Sequence, residues 1–308
     1  MSIIWPSRSS TQSDLESALR KLATKRHLPG IADPRALQTL VLQILASLRR
    51  EDYTSTLMKR TISANRADPS SSTFDADRAV VYNFQNRDID EAAWLIFLIT
   101  HFGKPADSGW RRLVDVYGRL GTGRWSWTAV SQSPKSFDAW LVANWQSIGG
   151  KFGNHRKYET LDPSSANSTR YVIQSYLNWV GPSLSHVTLF ANAVRAAGND
   201  PHRIFDALYR GMTVRRFGRL AKFDYLSLIG RYGIAPIAPG SAYLNEATGP
   251  ADGARLLFGI NTPGRAGYAA LQAGFDDLSA HLGVGMQVLE DAVCNWQKSP
   301  TVFKHFKG

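Results

Sequence analysis

Apolar residues recur at helical spacing along most of the chain. Between Pro34 and Arg50, six of them lie on one helical face: Leu37, Leu40, Val41, Ile44, Leu45 and Leu48. Asp33 supplies an N-cap for this helix, and Pro34 suits its first turn. The same spacing predicts helices over 14–27, 89–102, 108–120, 135–147, 168–180, 184–197, 201–210 and 265–298, the last with breaks at glycines. Strand-like alternation is scarce, so the pattern predicts an all-α fold.

Polar and glycine-rich stretches predict where the helices stop. Residues 63–77 are rich in Ser, Asp and Pro, which is typical of a linker or mobile loop. We therefore expect an N-terminal helical extension with a linker over 1–73 and the main helical domain over 74–308. Residues 231–248 hold too much Gly and Pro for a helix and are expected to be irregular.

Composition adds a class of partner. The 308 residues carry a net charge of +11, with 9 Trp, 11 Tyr and 14 Phe. A basic surface favours an anionic partner, most often nucleic acid, although a protein can also be basic for solubility. Aromatic side chains beside cations are what extruded bases need, which favours nucleic acid. Cys294 is the only cysteine, so no internal disulfide forms and a reducing, cytoplasmic compartment is expected. No apolar stretch approaches the length of a membrane span, so none is expected.

The segment "FGNHRKYET", residues 152–160, is dense in hydrogen-bonding groups. It is either a solvated turn or an anion site. In the second interpretation His155, Arg156 and Lys157 neutralise phosphates or a substituent of the base, with Arg156 best suited to a bidentate contact. Asn154 and Glu159 then bind base or sugar hydroxyls, and Tyr158 stacks on a base.

Two carboxylates are candidates for acid–base chemistry. Asp224 lies among Phe223, Tyr225 and Leu226, either at a helix boundary or in a functional site, because burial raises the pKa of a carboxyl. Glu290 lies beside the apolar stripe of its helix, and the alternative is a surface acid.

Two further segments could contact a ligand. In "ITHFGK" (99–104), His101 is either a C-terminal helix cap or, with Lys104, a substrate contact. In "TGPADGARLLFG" (248–259), the backbone around Gly249 and Gly253 could hold a phosphate at a helix N-terminus, with Arg255 beside it.

Several enzyme classes have no supporting motif. A nucleotide P-loop, the zinc-protease H-E-x-x-H, the hydrolase G-x-S-x-G and the zinc-deaminase signature are all missing from the sequence. The seven histidines form no metal-ligand pair on one helical face. We expect no metal and no cofactor.

Five segments together resemble one known family, the α-glutamyl/putrescinyl thymine pyrophosphorylases, and their third bacterial clade in particular. These segments are "THFGK" (100–104), "FGNHRKYE" (152–159), "APIAPGSAYL" (235–244), "TGPADGARLLFG" (248–259) and "LEDAVCNWQKSP" (289–300). The resemblance covers most of the chain from about residue 75. More remotely, the last two are similar to the helical domain of phage hydroxymethyluracil DNA kinases, where Glu290, Ala292, Cys294 and Lys298 match and Val288 and Asp291 differ.

This resemblance implies action on hypermodified bases in DNA and a fold similar to helix-hairpin-helix DNA glycosylases. Members of the grouping include anti-phage glycosylases that excise glucosylated hydroxymethylcytosine and leave abasic sites. We therefore expect a DNA glycosylase acting on double-stranded phage DNA, with Asp224 or Glu290 as the catalytic carboxylate. The alternatives are a base-modifying transferase or pyrophosphorylase and a non-catalytic reader of modified DNA. The sequence leaves the oligomeric state and the substrate base open.

Overall fold

A computed structural model describes residues 4–306, and the fourteen α-helices in that range confirm the predicted all-α fold. The helices are α1 Ser9–Ala23, α2 Pro34–Met58, α3 Ala76–Gln85, α4 Ile89–Phe102, α5 Arg111–Tyr117, α6 Trp127–Gln132, α7 Pro134–Asn144, α8 Thr169–Val180, α9 His186–Ala197, α10 Pro201–Gly211, α11 Arg219–Arg231, α12 Gly249–Phe258, α13 Gly264–Leu282 and α14 Met286–Trp296.

The chain divides into two compact units. The terminal unit holds the described residues up to Tyr53 together with Pro239–Phe306, and the central unit holds Thr54–Ala238. The division therefore falls at residues 53 and 238, whereas composition placed it at residue 73. Helix α1 and the first part of α2 share a hydrophobic core with α12, α13 and α14.

Close helix packing characterises the terminal unit. A Cβ atom on Gly253 would lie 2.5 Å from the carbonyl oxygen of Val293, so only glycine lets α12 approach α14 at this point. The indole Nε1 of Trp296, which is fully buried, donates to the carbonyl oxygen of Ala36 at 3.0 Å and ties α14 to α2. The core residues around them are almost all aliphatic.

Helix α4 is the centre of the central unit, in contact with α3, α5, α6, α9 and α11. Its start is capped by Asp88, whose side chain accepts from the backbone N–H of Glu91. Nearly every side chain along it is buried, so it packs on all sides rather than along one stripe. Gly103 ends the helix with a φ of +71°.

A buried hydrogen-bonded chain joins α4, α8, α9 and α11. The Asp90 carboxylate accepts from the His186 backbone N–H and, at 2.9 Å, from its ring Nδ1. The His186 Nε2 atom lies 2.6 Å from the Tyr176 hydroxyl, which lies 2.9 Å from the Tyr225 hydroxyl. Burial lowers the pKa of His186, so the neutral ring accepts from Tyr176. This chain fixes Tyr225 and thereby the middle of α11.

Three helices escaped the sequence prediction: α3, α6 and α11. Helix α11 buries residues all round its axis, including Ala221, Phe223, Tyr225, Leu226 and Ile229. The charged residues Arg219, Lys222, Asp224 and Arg231 are scattered among them and form no single polar face, so the sequence shows no amphipathic period. The predicted end of α9 and start of α10 agree with the structure: Gly198 ends α9, and Asp200 caps α10 through the backbone N–H groups of His202 and Arg203.

Candidate functional site

The segment of residues 152–159 is attached to the end of α4. The Gly153 N–H donates to the carbonyl oxygen of Phe102 at 2.8 Å. A Cβ atom on Gly103 would lie 2.9 Å from the Gly153 Cα, so the two backbones meet where neither can carry a side chain. The Phe152 ring packs against His101 and Phe102 and receives the Arg112 guanidinium at 4.6 Å. The segment is therefore held at its base, not a freely solvated turn.

Within this segment Arg156 points inward. It is 8% exposed, and its Nε donates to the carbonyl oxygen of Thr100 at 3.1 Å. One Nη atom donates to the carbonyl oxygen of Arg216 at 3.4 Å, and the guanidinium lies 5.1 Å from the centre of the Phe217 ring. Burial lowers the pKa of Arg156, against the opposing attraction of Asp224 and Glu159. Two of its donors are thus committed to backbone carbonyls.

Four charged side chains form a cluster of alternating sign: Asp224, Arg156, Glu159 and Arg216, named here the charged cluster. The Glu159 side chain is 5% exposed and accepts from Arg216 Nε at 3.2 Å. Burial raises the pKa of Glu159, while Arg216 and Arg156 lower it. Asp224 is half-buried on α11, and of the two carboxylates that raise the pKa of Arg156 it has the larger effect. The cluster is formally neutral, which makes its burial tolerable.

His101 lies directly behind the charged cluster. Its ring is fully buried, and its Nε2 is 3.0 Å from the Thr169 hydroxyl. Burial, with the charges of Arg156 and Arg112, lowers the pKa of His101 to about 3. The ring is therefore neutral at physiological pH and adds no positive charge to the C-terminal end of α4, so the interpretation as a charged helix cap is wrong.

The remaining candidates on the 152–159 segment point outward. Asn154, His155, Lys157 and Tyr158 are exposed, and the Lys157 ammonium lies 5.1 Å from the centre of the Tyr158 ring. Lys104 is also exposed, 3.9 Å from the Asp75 carboxylate and 4.7 Å from the centre of the Trp110 ring. The central unit thus has an inward layer of paired charges and an outward layer of cations and one tyrosine.

The other candidates lie in the terminal unit. Glu290 is 6% exposed on α14. Gly249 and Gly253 both face α14, since added Cβ atoms would meet Cys294 Sγ at 2.9 Å and Val293 O at 2.5 Å. The absence of a side chain at Gly249 and Gly253 therefore serves the packing of α12 on α14. A phosphate contact by the backbone N–H groups of this turn stays a prediction.

Two cations near that end of the terminal unit have partners of their own. Arg255 donates to Asp252 at 3.0 Å, and its guanidinium lies 5.3 Å from the centre of the Tyr268 ring. The Lys298 ammonium donates to Asn295 Oδ1 at 2.9 Å. Both remain candidates for contact with DNA.

Sequence reasoning missed Arg216 and Asp77. Arg216 has a φ of +63°, a conformation that L-residues other than Asn, Asp and His rarely adopt, and such strain concentrates at functional positions. No sequence signal announces it. Asp77, in the first turn of α3, has its pKa raised by burial and by Asp75, and the Tyr232 hydroxyl donates to it at 3.1 Å.

Between residues 4 and 306, no group of three or more His, Cys, Asp or Glu side chains is placed to hold a metal ion. No helix within that range is long and apolar enough to cross a membrane.

Comparison with known proteins gives one match. Residues 35–308 match the family described as alpha-glutamyl/putrescinyl thymine pyrophosphorylase clade 3. No curated protein and no solved structure matches the chain. The match includes both segments that carry candidate carboxylates.

Proposed function

Because the chain belongs to clade 3 of the alpha-glutamyl/putrescinyl thymine pyrophosphorylases, pyrophosphorylase-type enzymes linked to DNA base modification, we propose that it acts on modified bases in DNA. The reaction that we propose is excision: hydrolysis of the N-glycosidic bond of a hypermodified base, leaving an abasic site. Glucosylated hydroxymethylcytosine in phage DNA is the proposed substrate, and defence against phage is the proposed role.

The observation that carries this proposal is the electrostatic interaction between Asp224 and the buried Arg156, whose pKa the Asp224 charge raises against the effect of burial. Breaking an N-glycosidic bond generates positive charge at the sugar, so the minimum equipment is an anion near C1′ and a positioned water. Asp224 is half-buried in the middle of α11. The next residue, Tyr225, is held in place by the buried hydrogen-bonded chain. Because a catalytic group must be held rigidly, the fixed position of α11 supports Asp224 as the anion near C1′. Glu290 remains the second candidate for this role.

The other proposed contacts follow from the two layers of the central unit. The target nucleotide must leave the base stack, which costs about a few kcal/mol, and must then be held by stacking and by hydrogen bonds to its edge. Tyr158 offers a ring for stacking, and His155 and Lys157 offer cations for phosphates. Asn154 and Glu159 offer hydrogen bonds to base or sugar. Water and an anion suffice for this reaction, so no cofactor is proposed.

A second candidate function follows from the family's description. A pyrophosphorylase or transferase acting on a base substituent would leave the N-glycosidic bond intact, so its product would not be cleaved by alkali. A third candidate, a non-catalytic reader, follows from the net charge of +11, because phosphate contacts alone supply much of the affinity of basic proteins for DNA. Its binding would fall steeply with salt, and no base would be released.

One experiment separates the three. The purified protein is incubated with unmodified, hydroxymethylated and glucosylated phage DNA, released bases are measured by mass spectrometry, and abasic sites are measured by alkaline cleavage. Excision predicts a free modified base and alkali-labile DNA in equal amounts. Altered bases that stay in alkali-resistant DNA would establish the second function, and salt-sensitive binding without either product would establish the third.

A further inference from the structure

Two tyrosines of the central unit expose their rings to solvent. Tyr158 is 70% exposed, and Tyr171, in the first turn of α8, is 36% exposed. Most other aromatic rings of the described central unit lie in its interior or are half-buried. Leaving a large apolar ring exposed forgoes the free energy of burying it, so two such rings on neighbouring segments indicate a binding surface.

Backbone contacts hold these two tyrosines on neighbouring segments. The Thr169 N–H donates to the carbonyl oxygen of Thr160 at 2.8 Å, and this bond ties the end of the 152–160 segment to the start of α8. Tyr158 precedes this contact by two residues, and Tyr171 follows it by two.

The adjacent arginines Arg215 and Arg216 bridge the same two segments. Arg216 pairs with Glu159, next to Tyr158. The Arg215 guanidinium lies 5.3 Å from the centre of the Tyr171 ring and donates to the carbonyl oxygen of Ala166 at 3.1 Å. The Arg215 backbone N–H donates to the Ser175 hydroxyl at 2.8 Å, which fixes its position over α8.

Charge on this surface is unbalanced toward the positive. Arg170 and Arg216 are neutralised by Asp138 and Glu159. Lys157 and Arg215 have no carboxylate partner among the described residues, and both are exposed. The acid on the loop between Thr160 and Thr169 is the half-buried Asp162, whose carboxylate accepts from the N–H and hydroxyl of Ser164.

We propose that Lys157, Tyr158, Tyr171 and Arg215 form a surface that binds a single DNA strand, named here the strand surface. Two unpaired cations suit two backbone phosphates, and two exposed rings suit two unstacked bases, which is how sequence-tolerant single-strand sites are built. Because Glu159 and Arg156 belong to the charged cluster and are sequence neighbours of Lys157 and Tyr158, the bound strand is the one that carries the extruded nucleotide. This last step rests on the proposed function, whereas binding itself does not.

The test measures binding to unmodified DNA, so that it does not depend on base release. Fluorescence anisotropy with a labelled single-stranded oligonucleotide and with its duplex is recorded over a range of salt concentrations. Tyr158→Ala and Tyr171→Ala should each weaken single-strand binding roughly 5- to 100-fold, because a stacked base is lost. The Tyr→Phe changes keep the ring and should bind like wild type. The duplex, whose bases stay stacked, should respond less to the tyrosine changes.

The cations are tested by the salt dependence. Lys157→Ala and Arg215→Ala should each lower the slope of log affinity against log salt by about 0.7 for single strands, and Arg215→Lys should restore it. Lys135→Ala, which removes an exposed lysine from α7, is the matched control and should leave the affinity unchanged. Melting temperatures of all variants verify that they fold.

Wild-type affinity in both tyrosine→Ala variants, or the same loss for Lys135→Ala as for Lys157→Ala, would overturn the strand surface. Base release from modified DNA is measured in parallel. If the strand surface binds as expected and no base is released, excision fails and the strand surface stands. If base is released at wild-type rates while the four alanine variants bind normally, the strand surface fails and excision stands.

Discussion

The two units differ in the acidic, basic and histidine side chains that they bury. Among the described residues, the terminal unit fully buries one, Glu290, beside a core that is apolar. The central unit fully buries five: Glu91, His101, Asp115, Arg156 and His186. Burying a charge or a polar ring costs free energy unless partners compensate, so a unit that buries five gives up stability for another purpose.

This difference indicates which unit is the better candidate for the functional site. Perturbed ionisable groups concentrate at functional sites, although ion-pair networks that serve only structure also perturb pKa values. In the central unit one of the buried groups, Arg156, adjoins the exposed Lys157 and Tyr158, which is the arrangement of a site. In the terminal unit the candidate glycines serve helix packing. The comparison therefore ranks Asp224 above Glu290, and the variants below test that ranking.

The largest expected effect is on catalysis. Asp224→Asn should lower the rate of base release on the order of 10³-fold, because the anion that we propose faces the sugar would be lost while the shape is kept. Glu290→Gln should change the rate by less than about tenfold. Single-turnover base release, with melting temperature as the folding control, measures both. The opposite ranking would transfer the catalytic role to the terminal unit.

Loss of Arg156 should have the largest effect on stability. Arg156→Ala removes the cation between Asp224 and Glu159 and leaves Glu159 buried with one partner fewer, which should cost about 3–5 kcal/mol of the free energy of unfolding. Lys157→Ala, one residue away and exposed, should cost less than about 0.5 kcal/mol. Urea unfolding measures both. Similar values for the two would mean that the charged cluster contributes no stability.

Two buried groups on α4 should give the central unit opposing dependences on pH. Burial raises the pKa of Glu91 to about 7 from 4.5, although the Tyr117 hydroxyl and the Trp127 N–H donate to it. The folded protein therefore holds a proton that the unfolded chain loses above pH 4.5, so stability falls as the pH rises from 4.5 to 7. His101, with its pKa lowered from 6.5 to about 3, has the opposite effect, and stability falls as the pH drops from 6.5 toward 3.

Single variants should reveal how each of these two groups changes the stability with pH. In Glu91→Gln the stability should rise with pH up to 6.5, and in His101→Gln it should fall between pH 4.5 and 7, each by about 1.4 kcal/mol per pH unit relative to wild type. Urea unfolding at half-unit steps of pH measures these slopes. Parallel curves for the wild type and both variants would show that neither group changes its protonation on folding.

The smallest effect tests the terminal unit. Gly253→Ala places a Cβ atom 2.5 Å from Val293 O, so α12 must shift, and the expected cost is about 1–3 kcal/mol. Gly211→Ala, at the end of α10, meets no atom within 4 Å and should be neutral or slightly stabilising. Thermal unfolding compares them. A neutral Gly253→Ala would mean that close packing does not explain this glycine.

Sequence reasoning succeeds where one residue or one period determines the local structure. The predicted ends of α4 and α9 at residues 102 and 197 and the predicted start of α10 at residue 201 agree with the structure, and amphipathic stripes identified most helices. It failed for α11, because a helix buried on all sides has no stripe. It also misjudged His101, whose neutrality depends on burial by Phe97, Phe152 and Phe217, residues that come together only in the fold.

The candidate site was predictable in its parts but not in its arrangement. Arg156, Glu159 and Asp224 were all identified from local composition, yet nothing local shows that Arg156 and Glu159 turn inward while Lys157 and Tyr158 turn outward. Arg216 carries no signal, since its role comes from a left-handed backbone and a contact 57 residues away in sequence. Such long-range pairings are set by helix packing.

The meeting of Gly103 with Gly153 has a consequence for protein engineering. Since both backbones are pinned at that point, the positions beyond it can be varied without moving the scaffold. A library that randomises Lys157 and Tyr158, with the two glycines and Arg156 kept, should yield mostly folded proteins. Selection on DNAs with different base substituents could then retune substrate preference.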